Sequence, residues 1–310
     1  MWLKKGLLFN VADHVSETLK THASIPYCVH LKDDLFRIFF SSRNEQGKSF
    51  PYYIDAIIQQ GLISLLSKPS GPLMQLGELG TFDDSGIMPS CFVWRNDKLY
   101  MYYIGWNPQV NVSYRLSIGL AISEDMGESF YRISKGPVCD RSIEEPFFNT
   151  APFVIIENNL WRMWYISCTE WKIINDYSEP SYHVKYAESV NGIHWERKGV
   201  ICIDYDEQAK AIGRPCIIKK DNTYEMYFSY RDTDGYRNIR GKGYMIGKAL
   251  SADGISWEKR YTETGILLSE EGWDSNMMEY CHVFNHKGIY YMLYNGNDFG
   301  KQGFGYATSL

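Results

Sequence analysis

A strand-like aromatic segment recurs five times along the 310 residues: Phe36-Arg-Ile-Phe-Phe-Ser, Tyr100-Met-Tyr-Tyr-Ile-Gly, Trp161-Arg-Met-Trp-Tyr-Ile, Tyr224-Glu-Met-Tyr-Phe-Ser and Tyr290-Tyr-Met-Leu-Tyr-Asn. Their first residues lie 64, 61, 63 and 66 apart, so five near-equal periods fill the chain. A repeat of this length confines the fold to an array of supersecondary units, none of which buries its apolar face alone. Each segment follows an apolar run and a polar turn, as in Cys91-Phe-Val-Trp before Arg95-Asn-Asp or Pro152-Phe-Val-Ile-Ile before Glu157-Asn-Asn, which is a β-hairpin pattern. Third strands such as Ser117-Ile-Gly-Leu-Ala and Met245-Ile-Gly-Lys-Ala lead into the turns Ser123 to Phe130, Ser189 to Trp195 and Ser251 to Trp257. Asp or Asn with Gly supplies the left-handed conformations those turns require. Four strands in each of five units predict an all-β, five-bladed β-propeller with four-stranded antiparallel blades.

The chain ends test the phase of the repeat. Gly303-Phe-Gly-Tyr-Ala-Thr-Ser reads as a third strand with no fourth after it, while Trp2-Leu-Lys-Lys-Gly6-Leu-Leu matches Trp195-Glu-Arg-Lys-Gly199-Val-Ile. The N-terminal strand is therefore expected to complete the last blade and close the ring, leaving one domain over residues 1–310.

Composition narrows function. A chain that is 45% hydrophobic and 15% aromatic with 22% charged residues is neither disordered nor a coiled coil. A net charge of −5 supplies no basic field for nucleic acid, which leaves a small-molecule or oligosaccharide substrate as the expected partner. No apolar run is long enough for a membrane span or a signal peptide. Seven cysteines without CxxC or His-paired spacing predict no disulfide framework and no metal site, and fit a cytoplasmic protein. No glycine-rich loop or His-Glu-x-x-His pattern calls for a cofactor.

Strand topology sorts the polar residues. If first strands start at one face, second strands end there, and the unequal segments 68–86, 104–116, 167–182 and 230–243 lie on it. The Asp/Asn-Gly turns fall on the opposite face and are read as structural. The acids just before first strands, Asp84, Glu145 and Glu279, are the candidate catalytic residues, since glycosyl transfer needs one carboxylic acid and one carboxylate. Arg43, Trp106, Trp171, Arg214, Tyr230, Arg231 and Asn297 are the candidate substrate-binding residues, the rings for stacking on a sugar and the guanidinium groups for a carboxylate or phosphate. Neutralisation of the arginines by internal acids is the structural alternative. His282 and the inner-strand residues Cys28, Cys91, Cys216 and Cys281 are read as core.

The Ser-x-Asp-Gly-x-x-Trp turns, Arg214-Pro215 before an inner strand, and Trp273-Asp-Ser followed by Tyr290-Tyr-Met-Leu-Tyr-Asn-Gly-Asn297 give the chain a resemblance to five-bladed propeller glycoside hydrolases of families 32, 43, 68 and 130. It is most similar to uncharacterised relatives of family 43. The resemblance spans all five repeats and implies a carbohydrate-active enzyme, a glycoside hydrolase or a related glycosyl-transferring enzyme, with Asp84 as the acid most similar by position. Those families keep an Asp at the start of blade one, where this chain has His22-Ala-Ser-Ile-Pro26. That departure keeps a phosphorylase or transferase using an anionic ligand, and a noncatalytic glycan-binding propeller, as alternatives.

Overall fold

The computed structural model describes residues 1–237 and 239–309, so Asn238 of the 230–243 segment and Leu310 lie outside the described residues. The chain opens with strand β1 (Leu3–Asn10). An antiparallel set follows, made of β2 (Thr21–Lys32), β3 (Leu35–Arg43), β4 (Ser49–Gln59) and β5 (Leu62–Leu65). The next contains β6 (Gly86–Arg95), β7 (Lys98–Pro108), β8 (Tyr114–Ser123) and β9 (Tyr131–Arg132). A third contains β10 (Asn149–Glu157), β11 (Leu160–Ile174), β12 (Tyr177–Ser189) and β13 (Ile201–Ile203). The fourth is β14 (Ala211–Lys220), β15 (Thr223–Arg231), β16 (Met245–Ser251) and β17 (Glu258–Lys259). Finally β18 (Glu279–His286), β19 (Ile289–Asn295) and β20 (Gly303–Ser309) pair in order, and β1 joins the outer edge of β20 antiparallel, with Leu3 opposite Thr308 and Lys4 opposite Ala307. The expected pairing of the two chain ends is thus present.

The first strands contact one another in a cycle, β2 with β6, β6 with β10, β10 with β14, β14 with β18 and β18 with β2, giving a propeller-like all-β fold. Side chains at equivalent register stitch that cycle. The Tyr27 hydroxyl donates to the Phe92 carbonyl at 3.3 Å, and the Cys91 and Cys216 sulfurs accept the N–H groups of Val154 and Val283 at 3.2 Å. His282 Nδ1 accepts the Cys28 N–H at 3.0 Å, which fixes its proton on Nε2, while the ring stacks on Tyr27. Burial pushes the His282 pKa well below the ordinary imidazole value, so it serves as a neutral core group. All seven cysteines are buried thiols. Only Cys91 and Cys216 are equivalent, because Cys28 lies one residue beyond that register and Cys281 one before it. Pairing of Cys91 with Tyr102 also puts Leu99, rather than Tyr100, at the position that Trp161 holds in its own set, since a string of alternating aromatics leaves register to long-range pairing.

The Asp/Asn-Gly turns act as joints between sets. Ser123, Ser189 and Ser251 accept turn N–H groups, as do Asp125, Asn191 and Asp253. Each turn docks on the preceding set: Tyr102 donates to the Gly192 carbonyl at 2.6 Å and the Trp164 indole to the Gly254 carbonyl at 2.8 Å. Gly192 has φ 73°, and a Cβ there would lie 2.6 Å from the Tyr102 oxygen. No helix among the described residues is long and apolar enough to cross a membrane.

Candidate functional site

Every first strand carries a bulge near its start, two residues opposite one on the second strand: Ile25-Pro26, Pro89-Ser90, Ala151-Pro152, Arg214-Pro215 and Tyr280-Cys281. Ile25, Ala151, Arg214 and Tyr280 take φ values of 59°, 44°, 52° and 54°, a conformation that L residues adopt at a cost of roughly 1–3 kcal/mol each. Pro89 cannot, because its ring fixes a negative φ. A bulge frees ladder hydrogen bonds, which is why prolines fit in strands that are otherwise central. It also turns carbonyls off the ladder, and Arg214 uses them. Its guanidinium donates to the carbonyls of Cys281 at 2.6 Å, Tyr280 at 3.1 Å and Ser90 at 3.2 Å, with 1% of the residue exposed. The expected ligand contact is therefore placed inside the molecule as a cation bonded to peptide groups from two other sets.

The three candidate acids fall into different environments. Glu145 is buried with both oxygens taken, by Lys185 at 2.9 Å and Tyr165 at 2.8 Å on one, and by Arg197 at 2.8 Å and Asn149 at 2.7 Å on the other. Burial works to raise its pKa, but these donors outweigh burial and hold it below the ordinary carboxyl range. The same arrangement recurs. Asp83 takes Tyr103 at 2.8 Å and Arg132 at 2.7 Å, and Asp274 takes Tyr294 at 3.0 Å and Lys4 at 2.7 Å. An acid before the first strand, a tyrosine from the second and a cation from the outer edge thus staple three of the five sets internally, while Phe40 and Phe228 stand at the tyrosine's place in the other two. Asp84 is half-buried and accepts from Ser85, the Gly80 N–H and Asn107, and these bonds overcome partial burial to lower its pKa.

Glu279 differs from both. It is 0% exposed, and neither carboxyl oxygen has a hydrogen-bond partner among the described residues. Burial drives its pKa well above the ordinary value, opposed by the charges of Arg231, Arg43 and Arg237 and aided by Asp298. Around it the sets converge. Arg43 ends β3 half-buried, its guanidinium without an ion pair or hydrogen bond among the described residues. Arg231 lies 3.7 Å over the Tyr236 ring and 3.7 Å from Glu179, and Glu179 also takes Arg237 at 3.0 Å and the Tyr236 hydroxyl at 2.9 Å. His22, with φ 66°, is held neutral by burial and then by the charges of Arg43 and Lys301, its pKa brought down to about 3.

The remaining candidates are placed as follows. Trp171 packs edge-on against Tyr114 and Phe148 at 5.2 and 5.7 Å, on a long hairpin whose tip is Asn175 and Asp176, so the 167–182 segment is strand rather than the expected loop. Trp106 lies against Gly86 at the end of β7. Tyr230 packs on Tyr261 at 4.6 Å, and Asn297 braces 272–277 through Asn276, Met277 and Gly272. Only Arg43, Arg231 and Glu279 of the candidates share one neighbourhood. His22, at the start of β2, joins them, and Glu179, Tyr236, Arg237 and Tyr244 arrive unanticipated from a hairpin and a loop whose path no local pattern specifies. No cluster of three metal-ligating side chains occurs among the described residues. A cavity of about 290 Å³ lined by Asp34, Gln59, His286 and Lys287 lies at the opposite face, among hairpin tips, and holds none of this chemistry.

Solved structures share this architecture. One glycoside hydrolase superposes with a TM-score of 0.74 at 16% identity, over 99% of this chain and 91% of that one. A thermostable family-43 glycoside hydrolase gives 0.66 at 17% identity (93% and 88% covered), and the Bombyx mori GH32 β-fructofuranosidase BmSUC1 gives 0.62 at 14% (94% and 61% covered). This chain shares the fold of these glycoside hydrolases. No family model matches the chain. It belongs to the family of two Mycobacterium tuberculosis proteins, the uncharacterized proteins MT1551 (strain CDC 1551) and Rv1502 (strain H37Rv), each 35% identical over 310 residues that cover 99% of this chain and 98% of the relative.

Proposed function

We propose that the five antiparallel sets are five blades of a single domain, and that this domain is a cytoplasmic carbohydrate-active enzyme acting on a glycosidic bond, with Glu279 as its proton donor. The observation that carries this reading is the unpartnered, fully buried carboxyl of Glu279 at a point where residues of four sets meet. A carboxyl held in its protonated form at neutral pH can protonate a leaving glycosidic oxygen. Asp84, ionised at the same end of the fold, is the candidate base. Glu145 has no free oxygen to offer and is left to the blade. The superfamily fold supports a sugar ligand, and seven free cysteines support a reducing compartment.

Glu279→Gln keeps size and removes the proton, so turnover of a susceptible glycoside is expected to fall by about a hundredfold or more, with sugar binding retained. Screening wild type and this variant against a panel of nitrophenyl glycosides and oligosaccharides tests the assignment. Undiminished turnover in the variant removes Glu279 from the chemistry. Glycan binding by a wild type that turns nothing over favours the binding module.

A further inference from the structure

We infer that the site beside Glu279 takes a sugar bearing an oxyanion, a carboxylate or a phosphate, with Arg43 as its first contact. The inference rests on the reading of this site as a sugar site and names the class of sugar. Other arginines inside the fold are matched: Arg37 with Asp55, Arg132 with Asp83, Arg162 with Glu157, Arg197 with Glu145, and Arg214 with three carbonyls. Arg43 is not. Glu279 does not serve as its counter-ion, since no ion pair joins them within 4.0 Å among the described residues, although each feels the other's charge. Burial lowers the Arg43 pKa, as expected for a guanidinium partly removed from water with nothing in return.

The local charge points the same way. Arg43, Arg231 and Arg237 surround a carboxyl that burial keeps protonated, and Glu179 and Asp298 are the acids that face them, so cations are in surplus in a protein of net charge −5. A guanidinium fork left open at a sugar site matches the two oxygens of a carboxylate or phosphate. The Glu279 hydroxyl, which has no acceptor among the described residues, and the neutral His22 imidazole complete a set of hydrogen-bonding groups that an oxyanion would satisfy.

Calorimetric titration of the full chain with inorganic phosphate, glucose 1-phosphate, glucuronate and glucose tests this. At least one anionic sugar is expected to bind tenfold or more tighter than glucose, and Arg43→Met is expected to weaken it by ~10- to 1,000-fold while glucose is unchanged. Phosphate competing with glucose 1-phosphate alone assigns the phosphate source, and binding of glucuronate alone assigns the carboxylate. Arg43→Lys, which keeps the charge and loses the fork, should fall between wild type and Arg43→Met, and it carries the test if the methionine variant fails to fold. Equal affinity for glucose and both anions, binding of none of them, or an anion preference that survives in the Arg43 variants overturns the inference. Its failure leaves the Glu279→Gln turnover loss standing. An anion preference with undiminished Glu279→Gln turnover would instead defeat the catalytic assignment alone.

Discussion

Glu145 precedes a first strand and Glu279 opens one, the acid of the last set that corresponds to Glu145 being Asp274, and although Glu145 and Glu279 are both almost wholly buried the fold treats them in opposite ways. Glu145 meets two cations, a phenol and an amide, and is held ionised. Glu279 meets no donor and is held protonated. The difference lies in what the same set provides. Beside Glu145 the second strand supplies Tyr165 and the outer segment supplies Arg197, whereas the cations near Glu279 belong to neighbouring sets and stay beyond bonding distance. Within the last set the tyrosine and the outer-strand cation, Tyr294 and Lys4, are already committed to Asp274. An acid stapled inside its set contributes to stability, whereas Glu279, whose set already has its staple in Asp274, is left without a partner among the described residues.

The sharpest way to break this comparison is through Asp274, because its cation is carried by the N-terminal strand. Deleting residues 1–8 removes the β1 to β20 ladder and the 2.7 Å Lys4 to Asp274 bridge, and leaves a carboxylate whose side chain is 3% exposed. An unpaired buried charge and a stripped strand should together cost roughly 5 kcal/mol or more. Urea or thermal unfolding measures it. A deletion variant as stable as the full chain would show that the last set does not depend on its outer strand.

Glu145→Gln comes next. It leaves Lys185 and Arg197 facing a neutral amide in a buried site, which should cost about 3–5 kcal/mol. The sign with pH follows from the depressed pKa. The stabilisation is fully present above the ordinary carboxyl range and disappears as pH falls through the lower folded value, so wild type and variant should converge in acid. A gap between their melting points that is constant from about pH 3 to about pH 7 would contradict an ionised, paired Glu145.

How much of this was legible in the sequence depends on range. Hairpins, the Asp/Asn-Gly turns and the match of Trp2-Leu-Lys-Lys-Gly6 to Trp195-Glu-Arg-Lys-Gly199 are local patterns, and the strands follow them. The bulges were also written locally, as Ile25-Pro26, Pro89, Ala151-Pro152 and Arg214-Pro215, a periodic proline that central strands otherwise exclude. The role of each acid was not. Asp83 and Arg132 are 49 residues apart, and nothing near Asp83, Glu145 or Glu279 in the chain tells which will find its cation. Arg214 likewise meets carbonyls 66, 67 and 124 residues away, so its burial depends on closure of the whole ring.

The smallest expected effect has the opposite sign and sharpens the comparison most. Glu279 has a folded pKa raised above its unfolded value, so the folded state holds a proton that the unfolded chain gives up as pH rises, and wild-type stability should fall between the ordinary carboxyl range and the raised folded value. Glu279→Gln carries no such proton. At about pH 4 the two proteins should unfold alike, and at about pH 8 the variant should be the more stable by roughly 3 kcal/mol. Denaturant titrations across that pH range measure it. A Glu279→Gln variant that is less stable than wild type at about pH 8 would mean that Glu279 is ionised and paired, a staple like Glu145, and the distinction on which the site rests would collapse.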